Sequence, residues 1–330
     1  MSDAANLSPL HALARQALNL WEVDPACDIS LLNIAENLTY LVTTPKGSKI
    51  VLRLHRAGYH SKRAIECELA WLDALKQDQV IEVPRTIIGR NGAAVQWANS
   101  QDVPEGRYFV LCDFIDGQAP DETQDLSQGF EELGQIAARC HEHALHWQRP
   151  EPFERLTWDA DAVFGNAPTW GNWRDAPEVD ARISAVLSQL EQRLITRLER
   201  FGSTPDRYNL IHADMRLANL LESPSGTRLI DFDDCGFGWL MYDFAAAISF
   251  IEDDPRVPDL KTAWLRGYRS VRELDPVQEA EIDTMVMLRR MALLAWIGSH
   301  MDAPEPQALA PGFAATTARL ADAYLKEQSL

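Results

Sequence analysis

The sequence has few cysteines and no long apolar run. Its five cysteines are scattered and form no C-x-x-C pair. This argues against a zinc knuckle or a disulfide framework and predicts reduced, mostly buried thiols. No segment approaches the roughly 18 uninterrupted apolar residues that a membrane-spanning helix needs. The first twenty residues include Asp3, His11 and Arg15 and lack the pattern of a secretory signal, so we expect a cytoplasmic protein.

Positive charge is also scarce. The chain has 31 Lys and Arg residues against 49 Asp and Glu, a net charge of −18. Nucleic acid as a partner is therefore disfavoured, because phosphate backbones require a basic face. Such acidity can attract a cationic substrate such as an amine or amino sugar, although solubility is its commoner cause. The 330 residues, 46% of them apolar, are enough for two lobes with separate cores. The sequence does not indicate an oligomeric state.

Two regions with different local patterns follow one another along the chain. Residues 29–41 and 49–55 are β-rich and flank a turn cluster at 44–48, which predicts a hairpin. Ser61 is a helix cap, and the helix that it starts is expected to reach Lys76. Further antiparallel strands are predicted up to about residue 115. We predict an α+β protein with a small antiparallel β lobe containing one helix (1–115), a larger, mostly helical lobe (116–330), and a cleft between them.

The helical lobe is predicted from apolar periodicity. The expected helices cover residues 126–148, 177–201, 240–252, 259–272, 276–301 and 311–328. Between them, residues 209–231 contain short apolar runs around a turn at 223–226. This segment carries the densest polar chemistry of the chain.

The segment HADMRLAN at residues 212–219 is followed, twelve positions after Asn219, by Asp231 in IDFD. Phosphoryl transfer needs a carboxylate that orients and deprotonates the attacking hydroxyl, together with oxygen ligands for Mg²⁺. H-x-D-x-x-x-x-N supplies Asp214 and Asn219 from one loop, and a hairpin can return the chain so that Asp231 faces the same metal. The alternative is a strand–turn–strand with solvated carboxylates, which is disfavoured because both halves occur together.

These residues and the sequence LIDFDDCGFGWLMYDFAAAISF resemble the catalytic core of the aminoglycoside phosphotransferase and choline kinase superfamily. More narrowly, the chain is similar to the bacterial stress-response kinase and homoserine kinase type II group. The resemblance implies a protein-kinase-like fold, ATP and Mg²⁺ as cofactors, Asp214 as the catalytic base, and Asn219 and Asp231 as metal ligands. It also implies that His212 braces the catalytic loop and that Asp243 is structural.

The β lobe is expected to supply a cation to the nucleotide phosphates. In the strand at residues 49–55, Arg53 lies where most kinases carry lysine, and Lys49 is a weaker candidate. A glutamate of the next helix is expected to pair with that cation, and Glu66 and Glu68 compete. Glu68 lies on the apolar face of the helix, where a charge needs a partner, so we choose Glu68.

Two further segments are candidates for nucleotide contact. Residues 33–40 hold no glycine, but relatives often carry Glu-Asn here, so Glu36 and Asn37 either cover the nucleotide or form a plain hairpin turn. The run at residues 110–117 resembles a kinase hinge. There, backbone groups of Asp113, Phe114 and Ile115 are expected to bind adenine.

Three functions remain open on this basis. The first is a kinase for a small-molecule hydroxyl on an amino alcohol, amino sugar or similar acceptor. The second is a protein Ser/Thr kinase, which is disfavoured because only residues 232–242 separate Asp231 from Asp243 and no A-P-E motif follows. The third is a nucleotide-binding protein without catalysis, which is disfavoured because Asp214, Asn219 and Asp231 are all present.

Several other polar and aromatic residues have two interpretations. For one group, the alternatives are that the residues line an acceptor pocket, or that the aromatic ones are packed and the acidic ones solvated. This group contains Trp158, Asp159, Asp161, Trp170, Trp173, Glu252, Asp253, Asp254, Trp296 and His300. His141, His143 and His146 fail the H-E-x-x-H spacing and are expected to be surface or packing residues. Arg289 and Arg290 either bridge helices or have no visible role.

Overall fold

The computed structural model describes residues 3–34, 37–121, 123–224 and 226–327. The chain divides into two compact units. The first contains Met1–Asp116 and Gln148–Arg155, and the second contains Gly117–Trp147 and Leu156–Leu330. Within the described ranges, no helix is both long and apolar enough to span a bilayer.

The first unit is an antiparallel sheet with two helices. Its elements are α1 (Asp3–Ala17), β1 (Asp28–Ile34), β2 (Leu38–Thr43), β3 (Lys49–Leu54), α2 (Lys62–Gln77), β4 (Thr86–Ile87), β5 (Gln96–Ala98) and β6 (Arg107–Asp113). The strand order is β1-β2-β3-β6-β4, with β5 also paired to β6. The predicted hairpin across residues 44–48 is confirmed as β2–β3. In the register, Arg53 lies opposite Thr39 on β2 and Val110 on β6.

Two details of this unit differ from the sequence prediction. Residues 29–41 form two antiparallel strands rather than one β-rich run. The unit also has two helices instead of one, because α1 precedes the sheet. Proline inside a helix is unfavourable, and Pro9 within α1 obscures its pattern. Tertiary burial stabilises α1 instead, since Leu13, Ala14 and Ala17 join the core of the sheet.

The second unit is mostly helical and contains two small sheets. Its helices are α3 (Ser127–His146), α4 (Ala160–Phe164), α5 (Ala181–Phe201), α6 (Tyr242–Ala247), α7 (Val257–Arg269), α8 (Pro276–Glu279), α9 (Ile282–Ser299), α10 (Pro304–Leu309) and α11 (Phe313–Glu327). Its strands are β7 (Leu156–Trp158), β8 (Tyr208–Ile211), β9 (Leu220–Ser223), β10 (Gly226–Leu229) and β11 (Gly236–Trp239). One sheet has the order β7-β11-β8, and β9–β10 is a hairpin.

Two predicted helices of this unit are shorter or divided. The helix expected at 240–252 is only α6, and Phe250 just beyond it has a left-handed backbone with φ 72°. A left-handed residue is incompatible with a continuing right-handed helix. The helix expected at 276–301 is divided into α8 and α9. The other four predicted helices are present within a few residues of their expected ends.

Glycine allows α3 and α7 to cross closely. A side chain on Gly134 of α3 would collide with the backbone of Trp264, and one on Gly267 of α7 would collide with the backbone of Glu131. Only residues without a Cβ fit at these two positions. This close crossing brings the C-terminal half of α3 next to Tyr268 on α7.

Candidate active site

The loop after β8 holds Asp214 and Asn219 together. The Asn219 carboxamide Nδ2 donates to the Asp214 carboxylate Oδ2 at 2.6 Å and to the Asp214 backbone carbonyl at 2.9 Å. Asn219 is buried, in a 3₁₀ turn formed by Leu217–Asn219. Ala213, just before the aspartate, has a left-handed backbone with φ 66°. Such strain in a residue other than glycine persists only where the surroundings fix it, as they commonly do at functional sites.

The β9–β10 hairpin returns the chain to this loop. The Ile230 amide donates to the Asn219 carbonyl at 3.0 Å, so Asp231 directly follows a position bonded to the loop. Asp231 also has a left-handed backbone, with φ 61°, and its side chain is exposed. The two halves of the motif are therefore connected through backbone hydrogen bonding. Their roles in catalysis and metal binding stay predictions.

His212 braces both halves of the motif. Its Nδ1 accepts from the Asp214 amide at 3.2 Å, which leaves Nε2 as the protonated nitrogen. Nε2 donates to the Ile230 carbonyl at 3.2 Å. The imidazole is fully buried against the Phe232 ring. These contacts suit the bracing role that the resemblance implies.

Asp243 fixes the strained part of the loop. Its Oδ1 accepts from the Ala213 amide at 2.7 Å, and its Oδ2 accepts from the His212 amide at 3.2 Å. The carboxylate is fully buried in the first turn of α6. Hydrogen bonds from two backbone amides, together with the positive end of the α6 dipole, offset the free-energy cost of burying the Asp243 charge.

His141 completes the support of the loop, and of the two predicted alternatives, surface or packing, it is the packing one that the structure has. The imidazole is fully buried; its Nε2 lies 2.9 Å from Asp243 Oδ2 and its Nδ1 lies 3.0 Å from the Tyr268 hydroxyl. Arg272 donates to that hydroxyl at 3.1 Å. The missed signal is periodicity, because His141 falls four residues after Ala137 in the buried stripe of α3.

His141→Ala is expected to lower turnover about tenfold or more, because Asp243 loses a partner and small displacements of a catalytic loop are costly. His146→Ala is the matched control, since His146 lies on the same helix, is exposed and contacts only Glu142 in the described hydrogen bonds. Steady-state turnover of both variants tests this. Equal turnover in the two variants would remove His141 from the support of the loop.

Asp214 is held by two arginines. Arg289 Nη2 donates to Oδ1 at 2.6 Å, and Arg216 Nε lies 3.5 Å from Oδ2. Burial alone would raise the pKa of Asp214, but the charges of Arg216 and Arg289 and the Asn219 hydrogen bond outweigh it and lower this pKa. Asp214 is therefore ionised at neutral pH.

The sequence does not decide the roles of Arg289 and Arg290, and in the structure each of them forms an ion pair. Arg290 pairs with Glu252 at 2.5 Å and donates to Thr317 at 2.9 Å, so it bridges α9 to α11. Glu252 is itself buried in that ion pair. A charge on a helix that is apolar all round requires a partner, and this is the signal that could have flagged both arginines.

The aromatic residues around this region are mainly packed. Trp158, Trp170 and Trp173 are all buried. Trp158 donates to the Asp234 carbonyl at 2.8 Å, and Trp173 donates to Glu191 at 2.8 Å. Trp296 stacks on His300 with the ring centroids 5.5 Å apart.

In the first unit, the structure pairs Arg53 with Glu68. Arg53 Nη2 lies 2.6 Å from Glu68 Oε1, and Glu68 is almost fully buried, whereas Glu66 is paired with surface cations. The geometric choice of Glu68 over Glu66 therefore holds. A second buried cation, Arg155, lies 4.0 Å from Glu68 Oε2. Both guanidinium groups therefore lie next to the buried Glu68 carboxylate.

Glu68→Gln is expected to lower the free energy of unfolding of the chain by about 3 kcal/mol, because it breaks the buried ion pair between Glu68 and Arg53. Glu66→Gln is the matched control on the same helix and is expected to change it by about 0.5 kcal/mol or less, as for other surface pairs. Denaturant unfolding followed by tryptophan fluorescence measures the difference. Equal losses in the two variants would contradict the pairing.

The other predicted nucleotide residues have partners within the first unit. Asn37 Oδ1 accepts from the Arg56 amide at 3.1 Å, and Glu36 lies outside the described residues. The Asp113 amide donates to the Arg85 carbonyl at 2.9 Å. That amide is thus engaged in a sheet-edge hydrogen bond, and the Asp113 carbonyl and the backbone groups of Phe114 and Ile115 stay the predicted adenine contacts. Lys49 Nζ lies 5.1 Å from the centre of the Phe114 ring rather than on Glu68.

The ligand atoms of Asn219 and Asp231 suit magnesium. Because Asn219 Nδ2 is committed to Asp214, the carboxamide oxygen is the atom that Asn219 offers to a metal. Among the described residues, no three His, Cys, Asp or Glu side chains form a metal-binding group. Mg²⁺ does not need such a cage, since one or two protein oxygens, phosphates and waters complete its shell.

Comparison with known proteins agrees with this geometry. The model of the phosphotransferase enzyme family matches residues 28–274. The amicoumacin kinase of Bacillus subtilis strain 168 is 24% identical over 288 residues, covering 83% of this chain and 81% of that protein. A solved microcompartment-associated aminopropanol kinase is 44% identical, with a TM-score of 0.88, and the match covers 95% of this chain and 97% of that one.

A second solved structure, of an amicoumacin kinase in complex with AMP-PNP, Ca²⁺ and Ami, has a TM-score of 0.77 at 22% identity. That match covers 97% of this chain and 96% of the other. These matches confirm the predicted superfamily, the kinase-like fold class and the phosphotransferase activity. The narrower grouping with stress-response and homoserine kinases stays a prediction. The chain belongs to the phosphotransferase enzyme family.

Proposed function

We propose that this protein transfers the γ-phosphoryl group of ATP, with Mg²⁺, to the hydroxyl of a short amino alcohol such as aminopropanol. The observation that carries the proposal is the connected group of Asp214, Asn219 and Asp231. One loop and one hairpin supply a carboxylate and two oxygen ligands, as phosphoryl transfer requires.

The residues of the chain take separate roles in this proposal. Asp214 orients the acceptor hydroxyl and accepts its proton as the oxygen bonds to phosphorus and ADP leaves. Asn219 and Asp231 hold magnesium, which when bound offsets the negative charge of the triphosphate. His212 and Asp243 keep the loop in place. In the first unit, Arg53 contacts the phosphates while Glu68 fixes its orientation.

The acceptor class is supported by the 44% identity to an aminopropanol kinase over 95% of this chain. A short ammonium-bearing acceptor also suits a protein of net charge −18. The segment between Asp231 and Asp243 consists of β11, short turns and the first residue of α6. It is too short for the peptide-docking activation segment of a protein kinase. These observations favour a small acceptor over a protein.

The test is a screen of ADP release with Mg²⁺·ATP and single acceptors. The panel contains aminopropanol, ethanolamine, choline, homoserine, an amino sugar and a generic protein substrate. We expect the highest kcat/KM for aminopropanol and no turnover without a divalent cation. Turnover of the protein substrate alone would replace the proposal with a protein kinase, and nucleotide binding without any turnover would indicate a non-catalytic protein.

A further inference from the structure

The carboxylate of Asp214 is already engaged on both oxygens. Oδ1 takes the Arg289 guanidinium at 2.6 Å, and Oδ2 takes the Asn219 amide at 2.6 Å. Charge-assisted hydrogen bonds of this length are roughly twice as strong as neutral ones. An acceptor molecule therefore binds next to an Asp214 carboxylate whose negative charge is already paired with the Arg289 guanidinium.

Arg289 is fixed by several parts of the second unit. Its side chain is 2% exposed, and Nε donates to Ser249 Oγ at 3.1 Å. The guanidinium carbon lies 5.1 Å from the centre of the Trp170 ring and 5.9 Å from that of Tyr242, within the range of cation–π attraction. Swinging this group out of the site would separate the buried guanidinium from its carboxylate partner, which is strongly unfavourable. The ion pair is a permanent feature of the site.

Arg216 also brings positive charge to Asp214, on the side of the other oxygen, but not through a direct hydrogen bond. It lies farther away, 3.5 Å from Oδ2, and is more exposed than Arg289. Its Nη1 pairs with Glu305 of α10 at 2.6 Å, which offsets its charge. Both arginines therefore counter the charge of Asp214, and Arg289 is the buried one of the two that directly occupies a carboxylate oxygen.

A short amino alcohol offers this carboxylate two competing groups. Its ammonium is a stronger partner for a free carboxylate than its hydroxyl is. At a catalytic aspartate without a counter-charge, the ammonium would therefore compete with the hydroxyl for the carboxylate oxygens.

We propose that Arg289 determines which end of the acceptor reaches Asp214. Its fixed positive charge keeps the ammonium away from this carboxylate, so that the hydroxyl is presented for phosphoryl transfer. Arg289 is thus a positioning and specificity-determining residue that acts through Asp214. The inference rests on the proposed amino-alcohol acceptor.

Calorimetric titration with propylamine, an amine without a hydroxyl, tests this directly. Arg289→Met and Arg289→Gln remove the charge and are expected to bind propylamine at least tenfold more tightly than the unaltered protein. Arg289→Lys keeps the charge and is expected to bind it no more tightly. A gain of binding cannot arise from a merely structural defect. The double variant Arg289→Gln with Asp214→Asn, which no longer carries the buried ion pair, is expected to lose the gain.

Arg290→Met is the matched control, because Arg290 is the next residue on α9, is equally buried and pairs with Glu252 instead. Melting temperatures establish that each variant is folded. Unchanged propylamine affinity in folded Arg289→Met or Arg289→Gln overturns the inference, as does an equal gain in Arg290→Met. Titration with propylamine needs no turnover. If aminopropanol is not phosphorylated, the proposed function fails while the titration still decides the role of Arg289.

Discussion

Asp214→Asn is expected to lower kcat by about 10²–10⁴-fold, the range for removal of a positioned general base. Asparagine has nearly the same shape as aspartate and can still accept a hydrogen bond from Arg289, but it cannot take up the proton of the acceptor hydroxyl. Since Asp214 is not a proposed nucleotide ligand, ATP affinity is expected to stay within a few-fold of normal. Single-turnover kinetics and calorimetric titration with a non-hydrolysable ATP analogue measure the two quantities separately.

The buried charge balance around Asp214 must be controlled in this experiment. The substitution leaves Arg289 without a carboxylate partner, so stability is expected to fall as well. Turnover is therefore compared at a temperature well below the melting temperature of the variant. Asp253→Asn is the control, because Asp253 is an exposed carboxylate paired with Arg319 at 2.7 Å. If folded Asp214→Asn turns over like Asp253→Asn, Asp214 is not the base.

The part of the candidate site that sequence alone could predict is local. Asp214, Asn219 and Asp231 lie within twenty residues of one another, and their spacing is set by one loop and one hairpin. The choice of Glu68 over Glu66 was also local, because helical periodicity separates a buried face from an exposed one. Motif spacing and helical periodicity both depend only on residues that are close together in the sequence.

The supporting residues whose roles the sequence did not indicate are far from their partners along the chain. Arg289 is 75 residues from Asp214, and His141 is 102 residues from Asp243. Sequence spacing carries no information on such contacts, which depend on how whole helices pack. The glycine-mediated crossing of α3 and α7, which sets the position of His141 beside Tyr268, is a tertiary feature of this kind. Both residues are polar groups on buried helix faces, and burial of a polar group is the sequence signal most worth following.

In the hinge-like segment at residues 110–117, the sequence does not indicate the hydrogen-bond partners. The sequence predicts antiparallel strands up to about residue 115, and β6 ends close to that position, at Asp113. The Asp113 amide is nevertheless used by the Arg85 carbonyl, and the Asp113 carboxylate forms a two-point ion pair with the Arg85 guanidinium. Hydrogen-bond partners at a strand end depend on the neighbouring strand, which local sequence does not specify. The predicted adenine-binding groups are therefore the Asp113 carbonyl and the backbone groups of Phe114 and Ile115.

Asp231→Asn is expected to weaken the Mg²⁺-dependent binding of ATP by about 10–100-fold or more, because even indirect partners of metal ligands have effects of this size. Asparagine is chosen over alanine because Asp231 has a left-handed backbone with φ 61°, a conformation that asparagine adopts more readily than alanine. The Asp231 side chain is exposed, so stability is expected to change little.

The metal role of Asp231 is isolated by titrating an ATP analogue with and without Mg²⁺. Affinity in the absence of metal is expected to be the same for Asp231→Asn and the unaltered protein, whereas the increase that Mg²⁺ produces should be mostly lost. Asp253→Asn removes an equivalent surface charge away from the motif and should retain the full increase. A normal Mg²⁺ response in Asp231→Asn would contradict the assignment. Loss of affinity without metal would instead mean that Asp231 acts on the nucleotide through the loop, because Asp231 directly follows Ile230, whose amide bonds Asn219.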